Sequence, residues 1–347
     1  MAYTEIDDPS VYFQIKLYTA ADAYTFDGNS DMQPDWMWIK ERNGTNEHNL
    51  FDSVRGTTKR LETSTTAAEQ TSSTTLTAFG SDGFTVGNNP GTGQNGGNYV
   101  GWGWKAGTSF SNSAGANGAN LASTGSVSTT AGFSIVSFTG NRDATRTVFH
   151  GLGVVPKMII FKNRASTNGW TIYNETIGNA KKLTLNNTSA AGNCTACFAS
   201  TTPTAAVFTV GDDGDTNGGG EAMIAYCFAD VKGYSKFGSY AANENVDGTF
   251  IYLGFKPAFI ILKQTNLVRD WHMFDNKRST FNAVGKYLRP NVNGAEDSGE
   301  EYVDFLSNGF KIKNTGNRFN DADGTYIFMA FAEQPFVTSK GVPATAF

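Results

Sequence analysis

The chain has 347 residues, 27 Lys and Arg against 32 Asp and Glu, a net charge of -5 and a pI near 5.3. That balance argues against a nucleic-acid partner, whose phosphates demand a basic footprint, and no apolar run is long enough to cross a bilayer as a helix. Only 17% of residues are charged, glycines number 39 and aromatics reach 13%; with Thr, Ser, Asn and Ala making up much of the rest, the composition indicates an all-β chain rich in turns.

In chain order, Met1 to Pro9 is acidic and polar, without the basic start and apolar centre of a signal peptide, so residues 1–11 are expected as an N-terminal arm of a protein made in the cytoplasm. A first strand is expected over Tyr12–Thr19. A second runs from Pro34 through Trp36, Met37, Trp38 and Ile39 to Lys40. This proline-to-lysine pattern returns at Pro156–Lys162 and Pro257–Lys263. Each copy is short, apolar and led by a proline, as suits a buried strand. Matching positions then follow in register. They are His48, Trp170 and Trp271; Asp52, Asn174 and Asp275; Lys59/Leu61, Lys181/Leu183 and Lys286/Leu288; and Phe84, Phe208 and Phe310. The units close on the most apolar strands, Tyr99–Trp104, Ala222–Phe228 and Tyr326–Phe331. Short helical turns are expected only near Thr58–Leu61 and Ala180–Leu183.

Self-similarity at this period predicts three tandem, divergent β-sandwich-like modules of about 100 residues each. Their expected bounds are 12–106, 132–230 and 231–336. Residues 107–131, uncharged and of low complexity, are expected as a linker, with an ordered loop laid over neighbouring modules as the alternative. Residues 337–347 are expected as a C-terminal tail. Two arrangements remain open: a row of independent domains, or three modules closed about a pseudo-threefold.

Few residues carry a chemical signal. Cys194 and Cys197 form a CxxC with Cys227 further on, but the set lacks a fourth zinc ligand, so the cysteines are expected to be small packing residues with no metal and no disulfide framework. His48, His150 and His272 stand where other units carry aromatics or lack a nucleophile beside them, and no cofactor is expected. Gly91–Gly97 and Asn217–Gly220 precede strands and therefore are not phosphate cradles. Asp212–Asn217 and Asn320–Gly324 concentrate oxygen atoms, but without the spaced glutamate of a calcium loop they are expected as solvated turns. Paired carboxylates for glycan cleavage occur only around Asp297, Glu300 and Glu301. Candidate ligand contacts are Trp36 and Trp38, which share one strand face, and the turn residues Asp212, Asp213, Asn317 and Asp321. Asn88–Asn98 and Gly294–Glu301 are the segments least constrained by the repeat.

The strings Pro34–Lys40, His48–Gly56, Asp82–Thr85, Tyr99–Lys105, Gly132–Val136 and His150–Gly153 with Pro156 resemble a repeat module of virion proteins in marine tailed phages, where such modules are described as structural or tail-fibre-like. The resemblance spans roughly residues 3–336, and the third unit departs from it at Tyr252–Phe255. It implies a non-enzymatic virion surface protein, most simply a tail appendage that serves assembly or host attachment. A capsid decoration protein and a host-glycan-binding adhesin are the alternatives. The implied partners are other virion proteins, further copies in a trimer or hexamer, and a host-surface glycan. No catalytic residue is carried over.

Overall fold

A computed structural model describes residues 4–298, 302–316 and 318–345. Its strands form six sheets among the described residues, three large and three small, and every strand pairing is antiparallel. Each proline-to-lysine run lies inside a large sheet, as Trp36–Glu41, Met158–Asn163 and Phe255–Gln264. On one side it pairs with the apolar closing strand: Asn98–Trp104, Ala222–Phe228 or Thr325–Pro335. On the other it pairs with Asn49–Asp52, Trp170–Asn174 or Trp271–Asp275. Beyond the closing strand lies an opening strand, Phe13–Thr19, Phe133–Thr139 or Ser235–Ala241.

These strands read as nearly unbroken apolar runs because both of their faces are covered. Successive side chains point to opposite faces. Trp36 and Trp38 enter a central cluster shared with Trp170, Ile172, Phe259 and Trp271 from the other two large sheets. Met37 and Ile39 point the other way, toward Phe84 and Val86 of a small covering sheet. The second and third large sheets have outer clusters of their own, around Phe208 and around Phe310. Glycine serves this packing directly: a Cβ on Gly103 would come within 2.7 Å of the Phe26 ring and 3.0 Å of the Met37 sulfur.

Three expectations change. Thr58–Leu61 and Ala180–Leu183 are strands rather than helical turns: Lys59–Glu62 and Lys181–Thr184 extend their sheets, with Leu61 opposite Leu50 and Leu183 opposite Ile172. In extended form each leucine drops into the central cluster. Residues 107–131 are not a linker. Thr108–Asn112 and Ser123–Ser128 form a hairpin that pairs with Phe133–Thr139 and widens the second sheet to eight strands. Its small residues are what the site requires, since a Cβ on Gly125 would meet the Ile135 carbonyl oxygen at 2.1 Å. The described part of the N-terminal arm is also packed. Thr4 and Ile6 are buried, the Thr4 hydroxyl donates to the Lys232 carbonyl at 3.1 Å, and Asp7 accepts from the Ser339 amide at 2.6 Å.

Candidate functional site

The functional interest concentrates where the large sheets meet, because charged side chains are buried there together. At the junction of the second sheet with the first, Asp52 and Arg55 form an ion pair with no side-chain exposure on either partner. The hydroxyl of Tyr226, from the second sheet, donates to Asp52 Oδ2 at 2.7 Å. Arg55 also reaches Glu69 at 3.2 Å, and Glu69 in turn accepts both arms of Arg164 at 2.8 and 3.0 Å. Burial opposes the positive charge of Arg55, yet Asp52 and Glu69 hold its pKa above the ordinary value. Burial likewise works against the Glu69 carboxylate, but Arg164 and Arg55 outweigh it and lower the pKa. Burial and the neighbouring Asp52 raise the Tyr226 phenol well above its normal range.

The junction of the first sheet with the third repeats this constellation. Asp275 and Arg278 are paired and fully buried. The Trp102 indole donates to Asp275 Oδ2 at 3.1 Å, in the role Tyr226 plays for Asp52. Arg278 approaches Glu296 at 3.4 Å, while Arg42 clamps Glu296 with two bonds of 2.9 Å. Backbone bonds accompany both clamps, from Glu69 N to Arg164 O at 2.8 Å and from Glu296 N to Arg42 O at 2.7 Å.

At the third junction, of the third sheet with the second, the matching backbone bond is present, Ala191 N to Thr265 O at 2.7 Å, but the charges are absent. Asn174 and Ile177 occupy the register positions of the Asp–Arg pair, Ala191 that of the glutamate and Thr265 that of the clamping arginine. Without those long side chains an open groove of about 610 Å³ remains. The periodic match of Asp52, Asn174 and Asp275 was visible in the sequence. The arginine three residues after each aspartate, and its replacement by Ile177, was the further signal that would have located these sites.

The predicted ligand residues are distributed differently. All six tryptophans are at most 1% exposed, so Trp36 and Trp38 belong to the interior and offer no ring face to a sugar. The indoles hold sheets together instead: Trp170 Nε1 donates to the Glu62 carbonyl at 2.8 Å and Trp271 Nε1 to the Thr184 carbonyl at 3.0 Å. His48, in the matching place, accepts from Trp38 Nε1 at 3.0 Å, and its buried Nε2 lies toward the Arg289 carbonyl without a regular hydrogen bond. Asp213 caps the short helix Gly214–Asn217, accepting from the Asp215 amide at 2.8 Å. Asp212 is exposed, and Asp321 is engaged by Arg269 at 3.1 Å. Asn317 lies outside the described residues, as do Glu300 and Glu301, while Asp297 accepts from the Tyr287 hydroxyl at 2.5 Å.

Cys194 and Cys197 correct the expectation of free packing thiols: they are joined in a disulfide across the four-residue helix Thr195–Phe198. Their sulfurs lie within 4.8 Å of an Asp213 oxygen, but each sulfur is spent on the other and neither is a thiolate for a metal. Cys227 remains a buried thiol, its pKa pushed up by burial. His150 is fixed by the backbone, accepting from Leu152 N at 3.2 Å and facing the Thr204 carbonyl at 3.1 Å. His272 sits against the Tyr287 and Phe319 rings. No helix among the described residues is long and apolar enough to cross a membrane.

Large antiparallel sheets packed on a shared aromatic interior, with buried charge networks at their junctions, define an all-β protein built of several sheets that do not close into a barrel. The chain belongs to the family described as "Domain of unknown function (DUF7483)", whose model matches residues 8–335. Comparison with curated proteins gave no match.

Proposed function

We propose that the chain consists of three diverged copies of one sandwich module, closed about a pseudo-threefold axis, and that this closed body is a non-enzymatic structural component of a phage particle surface. The observation that carries the reading is the cyclic recurrence of one set of contacts. The second sheet holds the first through Trp170 and Arg164, the third holds the second through Trp271 and Thr265, and the first meets the third through His48, turned toward the Arg289 carbonyl, and Arg42. The four-strand order common to the three large sheets (opening strand, closing strand, proline-to-lysine strand and the strand that follows it) supports the same reading. A ring closed this way resists shear between its parts, which suits a building block that transmits load. The Cys194–Cys197 disulfide fits residence outside a reducing cytoplasm.

The particle assignment rests on the motif resemblance, with a tail appendage as the favoured place and assembly or host attachment as the role. Other virion proteins and further copies of the chain, as a trimer or hexamer, are its proposed partners. Immunogold microscopy of purified particles tests this. Label confined to the tail is the expected result. Label spread over the head would replace it with capsid decoration, and label absent from particles while the protein is present in the lysate would overturn the virion reading. A second reading, host-glycan adhesion, is favoured by one feature, the open groove at the third junction.

A further inference from the structure

The three junctions are alike in backbone and unlike in what fills them. At the first, Arg164 occupies the inner face of its sheet and its guanidinium comes within 3.5 Å of the Ser137 hydroxyl. Strand pairing places Ser239 at the same position of the third sheet, opposite Ile327 as Ser137 is opposite Ile224. Here Thr265 is too short to reach it. Among the described residues, the hydroxyls of Ser239 and Thr176 and the ammonium of Lys181 make no hydrogen bond within the chain. The groove is thus bounded by exposed polar groups open to a ligand, and one of them, Ser239, matches a serine that an internal arginine reaches in the second sheet.

Its chemistry narrows what it can hold. No carboxylate lines it, so nothing there attracts a metal ion or an organic cation. One lysine is a poor match for a polyphosphate, whose charge calls for several cations or a bidentate arginine. Ser239, Thr176, Thr265 and Thr325 supply neutral donors and acceptors, while Ile177, Ala191 and Ile327 supply apolar surface between them. A volume of about 610 Å³ is in the usual range for small-molecule sites. A ligand with hydroxyls around its rim and C–H faces between them satisfies both parts of this lining.

We infer that the groove between Thr176–Ala191 and the Ser239/Thr265/Thr325 face is a binding site for a short oligosaccharide segment, neutral or carrying a single carboxylate for Lys181. The inference stands on the groove alone, so it survives or fails independently of the particle assignment. The two rings that line the groove, Tyr240 and Tyr326, are buried and stacked on each other, so neither offers an open face to the sugar and binding is expected to be weak, with Kd on the order of millimolar.

The other two junctions supply the blocking variant. Ala191→Glu with Thr265→Arg would rebuild the glutamate–arginine clamp and fill the groove with an arrangement the fold already accommodates twice. The measurement is a chemical-shift titration of isotope-labelled full chain with a neutral malto-oligosaccharide, with an aldotriouronic acid that carries one carboxylate, and with an uncharged Ser/Thr peptide. Supporting results are shifts of the Ala191, Ser239 and Thr265 amides with a saccharide, weakened at least roughly tenfold in the double variant. A thermal melt checks that the variant is folded, and Thr176→Ala with Ser239→Ala gives an independent removal of the free hydroxyls. The inference is overturned by an absence of shifts with both saccharides, by shifts with the peptide alone, or by saccharide shifts that persist in both variants.

Discussion

Arg55 and Asp52 share a site from which water is excluded, so truncating only one of them leaves the other charge buried. Arg55→Met should therefore cost about 3–5 kcal/mol, read as a loss of unfolding free energy in urea. The third junction suggests a contrast. Replacing the whole set together, with Asp52→Asn, Arg55→Ile, Glu69→Ala and Arg164→Thr, copies what Asn174, Ile177, Ala191 and Thr265 already do. This quadruple variant should be more stable than the single one, because no stranded carboxylate remains. A quadruple variant less stable than Arg55→Met would show that a stranded buried charge is not what destabilises the single variant.

Titration at single residues sets the pH response. Lys40, Lys162 and Lys263 occupy the same register position, and burial lowers each pKa from 10.5 to about 8. Between those values the unfolded chain binds protons that the folded chain has shed, so stability rises with pH. Above about pH 10 the buried tyrosines reverse the trend, since they ionise more readily unfolded. On the acid side, burial holds His150 at about 4 and His272 at about 3. Their contribution is complete above the unfolded value of 6.5 and is lost as pH falls toward those numbers. The urea midpoint should thus climb from about pH 7.5 to about pH 9.5, and Lys162→Met should flatten that climb. An unchanged slope in Lys162→Met would show that this lysine is not the titrating group.

At the scale of elements, the hairpin Thr108–Ser128 is the segment whose removal has the clearest consequence. It covers the outer edge of Phe133–Thr139, and Val127 and Phe110 pack on the outer cluster of that sheet. Deleting it would expose a run of unpaired backbone groups, the geometry that invites edge-to-edge pairing. The deletion variant should self-associate, visible as a concentration-dependent mass in light scattering; a strictly monomeric, fully folded variant would contradict this. The Cys194–Cys197 bond closes a very short loop and constrains the unfolded chain little. Its reduction should cost about 2 kcal/mol or less, measured by melting with and without a thiol reductant.

Legibility differed between these elements for physical reasons. The proline-to-lysine strands were recognisable because two covered faces demand an uninterrupted apolar run. The hairpin was not, because an edge element with one thin layer of contacts needs few apolar residues, and Gly125 fits it for lack of a side chain. Lys59–Glu62 and Lys181–Thr184 are too short for periodicity to separate strand from turn; the pairing of Leu61 with Leu50 settles it in space.

For the whole molecule, the shared central cluster means that the sheets are not independent domains. Residues 132–230 expressed alone would expose Trp170, Tyr226 and Phe228, all buried against the neighbouring sheets. That fragment should fail to fold, while the full chain should unfold in one transition monitored by tryptophan emission and by far-ultraviolet dichroism. Separate transitions, or a folded fragment, would show that each sheet is stable with its outer cluster alone.

The amino-acid sequence by itself determined the proline-to-lysine strands, their closing strands, the all-β class and the spacing that aligns His48 with Trp170 and Trp271, because these depend on local pattern. Only the tertiary structure decided that Trp36 and Trp38 are interior and that Asp52 meets Tyr226. The same holds for Asp275 meeting Trp102, and for the third junction being left open. Those outcomes depend on which faces of distant strands are brought together, and no spacing along the chain records that.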